Sequence, residues 1–251
     1  MKRRTKYGLS FYEIVEEKED EAYIIAKRLV ENLFFQMSEQ STKFCNDVFC
    51  DLPYTYTERR LDSVLLPTLS KMCNSIVLTE YPVNRTQQED SSVGRIDYWC
   101  IYEGYSFVIE LKQSYDNIRA EHTKKDKLTE RWHEMIKQLD SVKKEIQGFG
   151  EKTKGVIRLG LHIITSCDKE DNVNGNKDPF DRKTIEKIAV RLRTDIGETT
   201  PRRKPEILIC WKIPQNIVEQ GAKWELVFPG LWAVAKIYPP IRHKGAKQTN
   251  L

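Results

Sequence analysis

The stretch Gly94-Arg95-Ile96-Asp97-Tyr98-Trp99-Cys100-Ile101-Tyr102-Glu103-Gly104-Tyr105-Ser106-Phe107-Val108-Ile109-Glu110-Leu111-Lys112 carries the strongest fold signal in the chain. Its first part, to Ile101, and its last, from Ser106, are rich in β-branched and aromatic residues. Tyr102-Glu103-Gly104-Tyr105 between them has the glycine of a tight turn, so the pattern predicts a β-hairpin. Residues two apart in a strand share a face, which puts Glu110 and Lys112 together and Leu111 opposite. A carboxylate and an ammonium at the end of a run as apolar as Phe107-Val108-Ile109 need partners or a solvent-filled cleft. Asp97 is set likewise between Ile96 and Tyr98, and folding the hairpin about its turn brings it close to Glu110. Two carboxylates that close repel each other unless a cation lies between them. The plainer reading of the same residues is a hairpin salt bridge from Asp97 or Glu110 to Lys112.

Working outward, Thr57-Glu58-Arg59-Arg60-Leu61 opens a helix whose buried stripe is Leu61, Val64, Leu65 and Leu69, with Pro67 bending or shortening it. Ser75 to Val83 reads as a strand and Asn84 to Ser92 as a polar loop. After the hairpin, helical spacing returns from about Asp126 to Gln147 (Leu128, Trp132, Met135, Ile136, Leu139), and Gly148 and Gly150 stop it. Val156 to Thr165 is a further strand and Cys167 to Pro179 a loop. Asp181 caps a helix to about Leu192. Strands follow at Glu206–Ile213, Trp224–Phe228 and Trp232–Tyr238. Towards the N-terminus, apolar residues recur at helical spacing from Phe11 to about Gln36, which predicts an amphipathic helix capped by Ser10, with a break near its acidic run Glu16–Glu21 as the alternative; Ser38 to Tyr56 is a connector. The order predicts an α/β protein with a mixed central sheet flanked by helices, in which the hairpin supplies antiparallel pairing and the helix before Val156 permits a crossover.

Composition bounds the rest. The 251 residues are 39% hydrophobic and 31% charged, enough for a real core. No run approaches the roughly 18 apolar residues of a membrane span. No apolar segment follows the basic Met1-Lys2-Arg3-Arg4, so the expectation is a soluble, cytoplasmic protein without contact to membranes. The 41 basic and 37 acidic residues nearly balance. Basic residues gather at Lys2–Lys6, Lys124-Lys125 with Lys127, Arg202-Arg203-Lys204 and Arg242–Lys247; each is simplest as a solvated surface, and together they leave room for a phosphate-facing one. The six cysteines show no CxxC spacing, and Cys100 and Cys210 read as core. His162, among apolar neighbours, reads as a buried strand histidine. HExxH, Walker A, GxGxxG and GxSxG are absent.

Asp97 followed by Glu110-Leu111-Lys112 at the end of the next strand resembles the PD-(D/E)XK nuclease superfamily, the restriction-endonuclease-like nucleases. The resemblance covers about 57–165, and Ile96 stands where those proteins usually carry proline. It implies a restriction-endonuclease-like core (αβββαβ) at 57–165, with an N-terminal helical segment, 1–56, packed on it and a C-terminal strand extension, 166–251, of the same domain. It also implies a Mg²⁺-dependent phosphodiesterase acting on nucleic acid, most simply DNA, with Mn²⁺ as a substitute. Asp97 and Glu110 match the metal ligands and Lys112 the motif lysine; Glu58 looks like the accessory ligand of the preceding helix. Gln138 matches the glutamine that approaches the site from the following helix in several such nucleases, and Glu80 is placed to line the cleft. The plain alternatives are a dipole-favoured first-turn acid for Glu58 and a solvated helical side chain for Gln138. The chemistry suits these residue types: hard carboxylate oxygens hold Mg²⁺, which acidifies an attacking water and neutralises charge on the phosphate, while a lysine orients the water or stabilises that charge. Partners implied are nucleic acid and either a second copy or another subunit of a defence or mobile-element system. A nuclease-like fold kept as a non-cleaving nucleic-acid- or protein-binding module is the competing expectation.

Overall fold

The computed structural model describes residues 9–15, 18–46, 52–55, 58–83, 94–120, 127–142, 152–169, 180–197, 203–214 and 226–241. Within them the chain runs β1 (Leu9–Ile14), α1 (Glu21–Phe44), a short 3₁₀ turn (Pro53–Thr55), α2 (Glu58–Met72), β2 (Val77–Val83), β3 (Gly94–Tyr102), β4 (Tyr105–Asn117), α3 (Leu128–Ser141), β5 (Val156–Lys169), α4 (Arg182–Gly197), β6 (Ile207–Lys212) and β7 (Leu226–Ile237). The strands form one seven-stranded sheet in the order β1-β6-β7-β5-β4-β3-β2. β4 and β5 are parallel, joined over α3, and every other neighbouring pair is antiparallel. This is the α/β mixed sheet the sequence predicts, and the order α2-β2-β3-β4-α3-β5 matches the expected central section.

Two apolar layers hold the sheet. Leu29, Leu33, Phe34 and Met37 of α1 and Leu61, Leu65 and Leu69 of α2 pack on Phe107, Ile109, Leu111, Leu159 and Leu161. Trp132, Met135 and Leu139 of α3 and Ile188 and Leu192 of α4 cover the other face with Ile164, Cys210 and Trp232. The Tyr102–Tyr105 turn closes the hairpin, with Glu103 and Gly104 both at positive φ (44° and 81°). Positive φ at both central residues is the two-residue turn whose twist suits flanking strands.

The N-terminus departs from the expected helix. Leu9-Ser10-Phe11-Tyr12-Glu13-Ile14 is a strand that pairs with β6, Tyr12 opposite Ile209, and not the start of α1. Its short apolar alternation overlaps in phase with the helical spacing behind it. The helix begins at Glu21, where Asp20 accepts the Tyr23 N–H at 3.0 Å, and not at Ser10. It also runs past Gln36 to Phe44. Ser38 and Ser41, within the expected connector, are buried, and the Ser38 hydroxyl is turned back onto Phe35 O at 2.7 Å. The N-terminal segment is therefore strand plus helix, and β1 belongs to the same sheet as the C-terminal strands.

At the other end, β7 is one strand where the sequence suggested two. Pro229 lacks the ladder N–H, which reads as a break. The pairing absorbs it with a bulge: Phe228 and Pro229 stand opposite Cys167 alone, while Pro229 O accepts Ile213 N–H at 3.0 Å. Gly230 follows because a Cβ there would lie 2.2 Å from two ring carbons of the fully buried Phe180. Gly230→Ala is expected to cost about 1–3 kcal/mol by overpacking, read as a lower urea midpoint at unchanged slope.

Other expectations differ in extent. α2 continues through Pro67 to Met72, β4 to Asn117 and β5 to Lys169. α4 extends to Gly197, with Asp181 accepting Thr184 N–H at 2.8 Å as its cap. The Asn84–Ser92 loop, the stops at Gly148 and Gly150, Asn174-Gly175-Asn176, Trp224 and most of the four basic clusters lie outside the described residues.

Candidate active site

The β3–β4 ladder runs from Tyr102 opposite Tyr105 to Tyr98 opposite Ile109 and stops there, while β4 continues along β5 to Asn117. In an antiparallel pair alternate residues turn their N–H groups to the same neighbour. Leu111 and Gln113 therefore aim their N–H groups at a side from which β3 has parted. Two acids take its place: Asp97 Oδ2 accepts Leu111 N–H at 2.6 Å, and Glu58 Oε2 accepts Gln113 N–H at 3.1 Å. Satisfying these donors is what lets the strands splay without leaving buried backbone groups unpaired. Between the flanking pairs Thr79–Tyr98 and Tyr81–Ile96, Glu80 faces the Asp97 position at a positive φ of 51°.

The gap gathers the expected motif residues. Burial pushes the Asp97 carboxyl up; the Leu111 N–H, the Lys112 charge and a hydrogen bond with Glu110 oppose that, and Glu80 adds to it. Burial likewise raises the Glu58 carboxyl, with Lys112 and Arg131 opposing and Asp97 reinforcing. Glu110 is fully buried and Lys112 is 7% exposed. Asp97 thus lies within electrostatic reach of Glu110, Lys112 and Glu58.

On the α3 side, Lys112 is beside His162 of β5 in the parallel register, and Glu110 beside Gly160. His162 is fully buried, its Nε2 is 2.8 Å from Ser114 Oγ, and Trp132 stacks on it at 6.3 Å between ring centroids. Burial, with the Lys112 and Arg131 charges, depresses the imidazole to about 3, so it stands neutral beside the lysine. A Cβ on Gly160 would lie 2.7 Å from Met135 and 3.0 Å from Leu139, which lets α3 sit directly over the Glu110 position. Gln138 shares that turn of α3; it is half-buried and its main-chain carbonyl accepts the Ser141 hydroxyl at 2.7 Å.

Two participants carried no sequence signal. Gln113 follows the motif directly: besides its N–H on Glu58, its Nε2 donates to Tyr54 O at 2.7 Å, tying the strand to the 3₁₀ turn. Arg131 enters from α3 only through the fold. A glutamine after a motif and an arginine on a helix look like any other until the elements are placed.

Among the described residues no three His, Cys, Asp or Glu side chains form a ready-made metal cage. The pair Asp97–Glu110 still fits a hard divalent cation, because Mg²⁺ is commonly held by one or two carboxylates with waters and substrate phosphate completing the shell. Glu58, with one oxygen on the β4 backbone, sits beside that pair and not in a three-acid cage. Comparison with protein-family models, curated proteins and solved structures gave no match. None of the described helices is long and apolar enough to cross a membrane.

Proposed function

We propose that this chain is a metal-dependent nuclease hydrolysing phosphodiester bonds, with DNA as the simplest substrate. The observation that supports it most is the carboxyl pair Asp97–Glu110 in hydrogen-bond contact at the gap between β3 and β4, with Lys112 one alternation along the same strand. Asp97 and Glu110 would hold Mg²⁺ or Mn²⁺, and Glu58 would stand by as accessory ligand. When bound, the cation supplies Lewis-acid polarisation of the phosphate and offsets its charge. Lys112, aligned by its strand, donates to phosphate oxygen or to the attacking water. Neutral His162 beside it adds no competing positive charge. Arg131 of α3 adds a positive charge within electrostatic reach of Glu58 and His162, and Gln138 of the same helix would approach the cation site.

A cleavage screen over double-stranded, single-stranded and branched DNA and RNA, with Mg²⁺ or Mn²⁺ against chelator, tests the reading; no product from any substrate would sink it. The second reading, a non-cleaving binding module, is favoured by the backbone role of Asp97 and Glu58, which explains both acids without chemistry. Salt-dependent binding with no cleavage would support it.

Metal binding has its own readout. The cation would bind the ionised form of Asp97, whose carboxyl burial pushes up, so its affinity should climb as pH rises. At 100 times Kd it should stabilise the fold by about 2.7 kcal/mol. That is a rise in Tm of roughly 5–10 °C for a chain of this size, larger at pH 8 than at pH 5.5. A pH-independent shift, or one retained in Asp97→Asn, would place the cation elsewhere.

A further inference from the structure

We propose that Cys73 and Cys100 are a redox-sensitive thiol pair that closes to a disulfide on exposure to a peroxide, stapling the end of α2 to β3. The two thiols hydrogen-bond to each other in the reduced protein. Cys73 is the residue after α2, its N–H on Leu69 O at 2.8 Å; Cys100 lies in β3 opposite Val77, four residues further on. Both are buried in the same apolar layer, at 2% and 0% exposure. Thiols already in contact need only a small approach to reach a bonding distance of about 2.05 Å.

Access comes from the turn beside them. Asn74, Ser75 and Ile76 are exposed, and Asn74 and Ser75 hold left-handed φ values of 49° and 65°. A short exposed turn with little buried apolar surface opens locally at low cost compared with global unfolding. Opening it uncovers Cys73 first, since Cys100 is inside the sheet.

The chemistry balances. The Cys73 thiolate attacks one peroxide oxygen, the O–O bond breaks, and the leaving hydroxide takes a proton, giving Cys73 sulfenic acid and water. The Cys100 sulfur then attacks the sulfenic sulfur and expels the second water. In sum two thiols and one hydrogen peroxide give one disulfide and two waters; the thiols lose two electrons and the peroxide gains them. The bond would restrain the two elements that carry Glu58 and Asp97, although the inference needs no cleavage activity.

The test uses the full purified chain treated with a few equivalents of hydrogen peroxide. Peptide mapping should recover a Cys73–Cys100 cross-linked pair, matched by loss of two hydrogens in the intact mass and reversed by dithiothreitol. Oxidised protein should melt several degrees above reduced protein, and the gain should vanish in Cys73→Ser and Cys100→Ser. Sulfenic or sulfinic acid on Cys73 without the cross-link, a cross-link between other cysteines, or no reaction short of global unfolding would each overturn the proposal. The wild-type peptide map decides the matter even where a serine variant fails to fold.

Discussion

Asp97→Asn is expected to lower metal-dependent cleavage by about 10²–10³-fold or more, the scale seen when one preorganised electrostatic contact to the transition state is lost. Asparagine is the informative substitution. Its side-chain oxygen can still accept the Leu111 N–H that Asp97 Oδ2 holds at 2.6 Å, so the splayed edge of β4 stays satisfied. What disappears is the charge that would hold the cation with Glu110. Asp97→Ala removes both, and it should also cost about 1–3 kcal/mol by stranding a backbone donor. An alanine variant therefore mixes a folding defect with a catalytic one. Lys112→Ala is expected to cut cleavage comparably while leaving the metal-induced rise in Tm in place. Full cleavage by both Asp97→Asn and Lys112→Ala would end the nuclease reading.

The second large effect concerns acid stability. His162 is fully buried and its folded-state pKa falls to about 3, against about 6.5 in an unfolded chain. Above pH 6.5 the ring is neutral in both states and contributes no pH dependence. Below it the unfolded chain takes up a proton that the folded one refuses until about pH 3, so stability falls as the solution is acidified. The full loss is on the order of 4–5 kcal/mol. Asp97 and Glu58 act in the opposite sense: their raised carboxyls favour the folded state at low pH, and that contribution is lost as pH rises. The comparison to make is therefore wild type against His162→Gln, which cannot titrate and can still bond Ser114. Urea unfolding from pH 7 to pH 3.5 should show the wild type losing several kcal/mol more than the variant. Parallel profiles would mean that the imidazole is not held neutral between Lys112 and Trp132.

Legibility followed the range of the interactions. The hairpin was visible because alternation and turn chemistry are local: Tyr98, Cys100, Phe107, Ile109 and Leu111 all face the α1–α2 layer as their spacing predicts. Cys100, Cys210 and His162 were readable as buried from their neighbours alone. β1 is hidden in the sequence because six residues of strand just ahead of a helix share enough phase with it to vanish into its period. β7 reads as two strands because Pro229 signals a break unless a bulge lies beside it.

The candidate site divides along the same line. Alternation on one strand suffices to put Glu110 and Lys112 on a common face, and a short turn suffices to bring Asp97 across to them. Local patterning thus determined the fold class, most element types and the central carboxylate pair. Only the tertiary structure decided that β3 leaves β4 after Ile109, that Glu58 reaches across 55 positions of sequence to cap Gln113, and that His162 stands neutral beside Lys112. Those outcomes depend on how a helix, a splayed strand and a parallel neighbour share one set of backbone donors and one low-dielectric space. That sharing exists only once distant segments are packed together.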